Sequence, residues 1–310
     1  MKILVLCNDR MALPAVNQLI QNRLVVAIVM TDHSSEVHLT VKSFCDHSRI
    51  PFIQLSKVNL ALELRGILMQ FQPDTVLVKT FPWKIPAELL TIPKWGFYNF
   101  HYAPLPEYRG ANPLFWMIKN GDKEGGVTVH RMTENFDEGP IVLKSKFPLQ
   151  KNTTFGMFTG QLGYSGLELT GQLLMGLQHG SLTEEPQDNS KGKWYNRPGQ
   201  TDLMVDWAKM NASDVQRLVN ACNPWNKGAV ARLENGWMIG LTHASPTVAI
   251  TENEKSLAPG TIVHINEKDG LCIRCAGNTT VSVTIVYTEE GFFPGYVLAN
   301  LGLKSGMSFV

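Results

Sequence analysis

Over its first hundred residues this chain alternates short, predominantly apolar runs with segments that are apolar at every third or fourth position. Residues 2–7, 24–30, 75–78 and 95–100 are of the first kind, and residues 11–21, 37–47 and Leu60–Phe71 are of the second. A strand that is apolar on both faces has to be covered on both. Helical segments between such strands supply the cover and the crossover that a parallel pairing needs. The expected fold class is therefore α/β, built on a mostly parallel sheet. The first turn, Cys7-Asn8-Asp9-Arg10-Met11-Ala12, holds no glycine. Without G-x-G-x-x-G the backbone cannot approach a pyrophosphate closely, so no dinucleotide is expected.

Residues 126–132 and 141–147 read as two further strands, and residues 153–177 as one long helix. Phe155, Phe158, Leu162, Leu167, Leu169, Leu173 and Leu174 lie on or near one side of that helix, and glycines at 156, 160, 163, 166 and 171 count against its regularity. Residues 179–200 are rich in Ser, Gly, Pro and charge, as interdomain connections are. Beyond them residues 213–222 form an amphipathic helix, with Ser213 or Asn211 as its cap. Short strands follow at 229–233, 237–241, 261–265, 271–276 and 281–286, separated by Gly, Asn, Pro and charged turns. That pattern predicts a small open β-barrel. The expected division is a first domain over 1–190, a linker over 191–204 and the barrel over 205–310.

Net charge is +1, so no general affinity for polyanions is implied. No apolar run approaches the ~20 residues of a membrane helix, and Asn8-Asp9-Arg10 ends the first run too early for a leader. A cytoplasmic location and no membrane partner are expected. Five cysteines, an odd number scattered over the chain, argue against a disulfide framework. Cys272 and Cys275 have metal or redox spacing but sit on a predicted strand, where residues three apart face opposite ways. No metal site is expected.

Chemistry is densest in the run from Asn99 to Gly110, answered downstream by Asp137-Glu138-Gly139-Pro140. Asn99 and His101, two apart at a strand end, point the same way. Asn99 offers an amide donor for a growing oxyanion. His101 offers a proton acceptor or donor. Asp137, folding back, can hold the imidazole and fix its tautomer. Pro104-Leu105-Pro106 stiffens the turn, Gly110 lets the chain reverse, and the loop over 133–139 must close on the same spot. Phe81, Trp83, Tyr102 and Tyr108 are near enough in sequence to sandwich a flat heterocycle. Residue types alone leave open the alternative that Asn99 and His101 are satisfied by backbone and that Asp137 caps a turn.

These residues, with Pro113, Gly121-Asp122, Gly126-Val127-Thr128-Val129-His130 and Asp137-Glu138-Gly139-Pro140-Ile141, resemble the signature of the N10-formyltetrahydrofolate-dependent formyltransferases. The resemblance covers about residues 1–190. Residues 206–207, 217–224, Ala229 and 259–262 resemble, more loosely, the second domain of the methionyl-tRNA enzymes of that family. The resemblance implies a Rossmann-like first domain and an OB-like barrel. It places Asn99, His101 and Asp137 on the catalytic triad. It implies a pterin pocket lined by Phe81, Trp83 and Ile85 and by Thr133, Glu134 and Phe136. Tyr102, Pro104, Tyr108 and Arg109 would lie on the acceptor side. The implied donor is N10-formyltetrahydrofolate, with direct attack of an amine on the formyl carbon.

The chain departs from the tRNA enzymes in three places. Tyr102-Ala103-Pro104 stands where small residues are usual, and the first turn lacks their Gly-Thr-Pro. Their long basic, glycine-rich insertion after the second strand is missing: residues 31–37 are short, and no Lys or Arg lies between Leu24 and Val41. Residues 200–310 carry eight Lys and Arg against ten Asp and Glu. A domain that grips tRNA should be basic, because phosphate neutralisation dominates such affinity. The favoured acceptor is therefore a small amine, such as an amino sugar nucleotide, an amino acid or a peptide precursor. The alternatives are a methionyl-tRNA formyltransferase, a formyltetrahydrofolate hydrolase in which water replaces the amine, and a non-catalytic binding module. These residues leave oligomeric state, a homodimer included, open.

Overall fold

The computed structural model describes residues 1–33, 37–247 and 251–310. The chain divides into two compact units. One comprises Met1–Pro113, Glu124–Pro148 and Thr159–Asn196; the other comprises Leu114–Lys123, Leu149–Phe158 and Arg197–Val310. Residues 191–196, expected in a linker, thus fall within the first unit. Part of the stretch 31–37, where the basic insertion is missing, lies outside the described residues.

In chain order the elements begin β1 (Ile3–Cys7), α1 (Leu13–Gln21), β2 (Val25–Thr31), α2 (His38–Ser48), β3 (Phe52–Leu55), α3 (Leu60–Phe71), β4 (Thr75–Lys79) and β5 (Phe97–His101). They continue with β6 (Arg109–Gly110), α4 (Pro113–Asn120), β7 (Glu124–Arg131), β8 (Ile141–Pro148), α5 (Phe155–His179) and β9 (Trp194–Tyr195). Seven strands form one sheet in the order β3-β2-β1-β4-β5-β7-β8. The first five run parallel, and β7 and β8 are antiparallel additions at one edge. The sheet is therefore mixed at that edge, because β7 and β8 form a hairpin around the loop that carries Asp137. On one face Leu4, Leu6, Val29, Leu64, Leu68, Val76 and Phe97 pack into a single buried cluster. Helix α5 runs unbroken despite its glycines. At Gly166 the lack of a side chain lets the Tyr102 ring come close, where a Cβ would stand 3.2 Å from that ring.

Lys79, at the end of β4, is the largest fully buried side chain of this unit. Its ammonium nitrogen donates to Thr170 Oγ1 (3.0 Å) and lies 3.2 Å from the centre of the Phe100 ring. Burial drives its pKa well below the usual 10.5. Between the lowered value and 10.5 the unfolded chain binds more protons than the folded one, so stability rises with pH in that window. Lys79→Met is expected to stabilise the protein by about 1–3 kcal/mol near neutral pH and to remove that slope. Urea unfolding of both proteins at about pH 7 and about pH 10 reads both effects. A variant less stable than the parent at both pH values would refute this account.

The second unit contains α6 (Gln200–Leu203), α7 (Ala212–Cys222), β10 (Ala229–Arg232), β11 (Met238–Pro246), α8 (Glu252–Lys255), β12 (Ile262–Asn266), β13 (Gly270–Cys275), β14 (Thr279–Thr288) and β15 (Gly291–Pro294). Asn211 caps α7, accepting from the Ser213 and Asp214 N–H groups, while Asp214 accepts from the Asn211 N–H in return. The sheet is antiparallel, in the order β10-β11-β14-β13-β12 with β15 on β14. The last residues of the chain bridge its two edges: Phe309 pairs with Leu233 beyond β10, and Ser308 with Thr261 before β12. The unit's sheet is the antiparallel, barrel-like one expected after residue 200, whereas residues 114–123 and 149–158, expected in the first domain, group with this unit. Cys272 and Cys275 are both buried in β13, and burial pushes their thiols up to about 11 and about 12. Among the described residues, no helix is long and apolar enough to cross a membrane.

Candidate active site

Strand register builds the site. In the antiparallel pair β5–β7, Asn99 stands opposite His130, and His101 opposite Thr128. Residues two apart on a strand share a face, and directly opposed residues share it too. Thr128 pins the turn that follows β5: its hydroxyl donates to the Ala103 carbonyl (2.8 Å) and accepts the Leu105 N–H (3.1 Å). The turn then returns the Tyr108 carbonyl to within 2.5 Å of His101 Nε2.

Asp137 arrives from the loop between β7 and β8, with φ at +49°, left-handed backbone that a non-glycine residue seldom adopts. Its Oδ1 lies 3.4 Å from His101 Nδ1, 3.3 Å from Asn99 Nδ2 and 3.6 Å from His130 Nε2. Its Oδ2 accepts the Gly110 N–H at 3.0 Å. Gly110 itself has φ +95°, and a Cβ there would overlap the Tyr195 carbonyl, so only glycine can present this N–H.

Both nitrogens of His101 face acceptors, the Asp137 carboxylate and the Tyr108 carbonyl. A neutral imidazole has one N–H and would leave one of them unmet; an imidazolium serves both. Burial works against that charge, but the Asp137 carboxylate, its hydrogen bond and the Tyr108 carbonyl together outweigh it, and the His101 pKa is raised above 6.5. Burial likewise opposes the charge on Asp137, yet His101 holds its carboxyl well below the usual carboxylate range. The two shifts run in opposite directions, His101 up and Asp137 down, as each group favours the other's charged form.

His130 is the neighbour that sequence reasoning left without a role. Its Nδ1 lies 3.2 Å from the Arg131 carbonyl, which can only accept, so Nδ1 carries the proton and Nε2 is the acceptor. Nε2 takes one N–H of the Asn99 amide at 3.0 Å. The other Asn99 N–H points at Asp137. Asn99, His101, His130 and Asp137 thus form one connected cluster. The only sequence signal for His130 was its place in the Gly126–His130 run; its register against Asn99 is a tertiary fact.

The residues expected on the acceptor side are placed differently from one another. Tyr102 points away from Asn99 and His101: it is buried, and its hydroxyl donates to the Met11 carbonyl at 3.3 Å. Tyr108 is buried, its ring stacked on Tyr195 at 4.8 Å. Arg109 is buried and donates to Gln187 and Asn189, with Glu138 at 3.5 Å. These three side chains are committed to partners inside the protein. Pro104 is half-buried, and its carbonyl accepts the Tyr108 N–H.

Of the residues expected around a pterin, Phe81, Trp83 and Ile85 turn into the buried apolar cluster, with Phe81 edge-on to Trp83 at 5.4 Å. Pro82 and Lys84, between them, are exposed. Thr133 and Glu134 are exposed, and Phe136 is 44% exposed on the loop that carries Asp137.

A buried cation, an amide donor and a carboxylate gathered at one strand end suit the stabilisation of a tetrahedral oxyanion at a carbonyl carbon. Comparison with known proteins agrees. Residues 1–163 match the family described as formyl transferase, and residues 199–291 match the formyl transferase C-terminal domain. The methionyl-tRNA formyltransferase of Acetivibrio thermocellus is 28% identical over 288 residues, 89% of this chain and 88% of that protein. The corresponding enzyme of Pseudomonas syringae pv. tomato is 33% identical over 238 residues, covering 77% of this chain and 72% of the relative. Among solved structures, HypX from Aquifex aeolicus in complex with tetrahydrofolic acid superposes with a TM-score of 0.69 at 20% identity, over 97% of this chain and 47% of its own. The N-formyltransferase from Helicobacter canadensis, in complex with folinic acid and dTDP-3-aminofucose, gives 0.67 at 15% identity, over 91% of this chain and 98% of its own. With both domain profiles matched, and with relatives similar across both units, the chain belongs to the formyltransferase family.

Proposed function

We propose that this enzyme transfers a formyl group from N10-formyltetrahydrofolate to the amine of a small molecule, with Asn99, His101 and Asp137 as the catalytic residues. The folate reading fits the segment over 81–85: buried Phe81, Trp83 and Ile85 make an apolar floor. Among the described residues no partner meets the backbone N–H groups of Trp83, Lys84 and Ile85, which leaves them for the polar edge of a pterin. Phe136 and Thr133 would cover it from the loop side.

The raised pKa of His101 and the lowered one of Asp137 support a division of roles. Asn99 donates an N–H to the formyl oxygen, exchanging its longer contact with Asp137 for the oxyanion. His101 rests as an imidazolium, so it acts first as an acid. It supplies positive charge beside the oxyanion and gives its proton to the departing folate nitrogen. It then takes back the proton that the acceptor nitrogen sheds on forming the amide, so protons balance over the cycle. Asp137 keeps the imidazole oriented and charged.

The observation that carries the acceptor class is charge: ten acidic against eight basic side chains over residues 200–310, and no Lys or Arg between Leu24 and Val41. Similarity to methionyl-tRNA formyltransferases across both units favours tRNA as the second reading. Two experiments separate them. A panel of amino sugar nucleotides and amino acids with N10-formyltetrahydrofolate, followed by tetrahydrofolate release, should reveal a small acceptor. Initiator methionyl-tRNA should show no tight gel shift at low salt. Tight tRNA binding that weakens steeply with salt would overturn the small-amine reading.

A further inference from the structure

The stretch over 184–195, polar and glycine-containing, has the composition of a connector, yet it is fastened to the catalytic loop at every few residues. Glu185 and Ile141 exchange two backbone hydrogen bonds at 2.8 Å. Asn189 accepts from Arg109, and β9 pairs with β6 so that Tyr195 stacks on Tyr108. At the centre is Gln187. Its side-chain nitrogen donates to the Asp137 carbonyl (2.8 Å) and the Gly139 carbonyl (2.7 Å). Its side-chain oxygen accepts from Arg109 Nε (3.2 Å) and Nη2 (2.8 Å). The amide uses both donors on the loop and its acceptor on a buried guanidinium.

We propose that Gln187 is a positioning residue of the active site: anchored on Arg109, its amide clamps the backbone of Asp137 and Gly139 and so holds the Asp137 carboxylate against His101. Three observations carry this. Asp137 has left-handed backbone, which persists only where surrounding contacts over-determine it. Gln187 grips that residue's own carbonyl and the one two residues on, so the conformation between them is fixed from outside the loop. And Gln187 is itself held rigid, because Arg109 presents a fork of donors that is already oriented by Asn189 and Glu138. The inference rests on the catalytic roles proposed above but not on the identity of the acceptor.

The discriminating variant is Gln187→Glu. It keeps an oxygen for Arg109, so the anchored half survives, and it replaces both loop donors by acceptors that the Asp137 and Gly139 carbonyls repel. Three readings are needed. In the free enzyme, NMR titration of the His101 ring should give a lower pKa than the parent's, although the substitution adds a negative charge that by itself would raise it. The titratable groups facing that ring are Asp137 and, beyond it, His130. With formyl donor and the best acceptor of the panel, kcat should fall about 10- to 100-fold, the scale on which outer partners of a reacting group act. In an Asp137→Ala background the same change should cost nothing further, because Gln187 acts through Asp137. Should the glutamate variant not fold, Gln187→Ala is read in the same three ways. An unchanged or raised His101 pKa, or an equal loss in both backgrounds, would overturn the proposal. The NMR reading needs neither donor nor acceptor, so failure of the small-amine reading leaves it intact.

Discussion

Replacing His101 with alanine is expected to lower kcat by about 10²–10⁴-fold while tetrahydrofolate binding changes little. The ring is buried, its charge is sustained by Asp137 and the Tyr108 carbonyl, and no other group in the cluster is placed to supply both a positive charge and a proton at the same point. Because the resting form is the imidazolium, the parent enzyme should lose activity as pH rises through the raised His101 pKa. That alkaline limb should be absent in His101→Ala. The variant enzyme's rate across pH, with tetrahydrofolate affinity from fluorescence quenching, checks both statements. Near-normal turnover, or an alkaline limb that survives the substitution, would remove His101 from proton transfer.

Asp137→Asn is the second large effect. The amide has nearly the shape of the carboxylate, so the loop and its Gln187 clamp are retained while the charge is lost. A rate loss of about 10²–10⁴-fold is expected, as for an orienting carboxylate behind a catalytic histidine. The His101 pKa should fall toward or below 6.5 once burial is no longer opposed. Stability follows with a definite sign. His101 has its pKa raised on folding, so its contribution is fully present below 6.5 and is lost as pH rises through the folded value. Asp137 has its pKa depressed, so its contribution is present above 3.8 and is lost as pH falls through the folded value. The variant should therefore be most destabilised, by about 3–5 kcal/mol, between about pH 4 and pH 6.5, and less so at about pH 9. Urea midpoints across that range provide the check. A stability difference that grows toward alkaline pH would contradict the ion pair.

Sequence reasoning located the long, strongly patterned elements. The alternating runs became β1, β2, β4 and β5 with α1, α2 and α3 between them, because a strand buried on both faces keeps few polar positions to blur its pattern. Short or half-exposed elements were missed: β3, which lies at the sheet edge, and α4, whose eight residues follow directly on the motif. The two-residue strands β6 and β9 were missed for another reason. They pair Arg109-Gly110 with Trp194-Tyr195 across some eighty residues, and nothing local marks such a pairing. The same limit applies at the site. Asn99, His101 and Asp137 were legible because their residue types suit one reaction and their order matched a family. Tyr102 was equally prominent in the motif, yet alternation along the chain turns it to the opposite side, toward Met11 and α5.

Two residues show most clearly where sequence stops. His130 touches Asn99 because the β5–β7 register opposes them, and shifting that register by one would have put His130 on the other face. Gln187 lies fifty residues beyond Asp137 in a stretch whose composition reads as a connector. The sequence by itself determined the fold class and the order of the two folds, and it singled out Asn99, His101 and Asp137 as candidates, since periodicity, turn chemistry and residue type are local properties. Only the tertiary structure decided that both ring nitrogens of His101 face acceptors, that Asn99 is already paired, and that the Asp137 backbone is held by Gln187 from outside its loop. Those facts depend on which buried donors and acceptors meet, and in a low-dielectric interior each unmet one would cost about 1–3 kcal/mol.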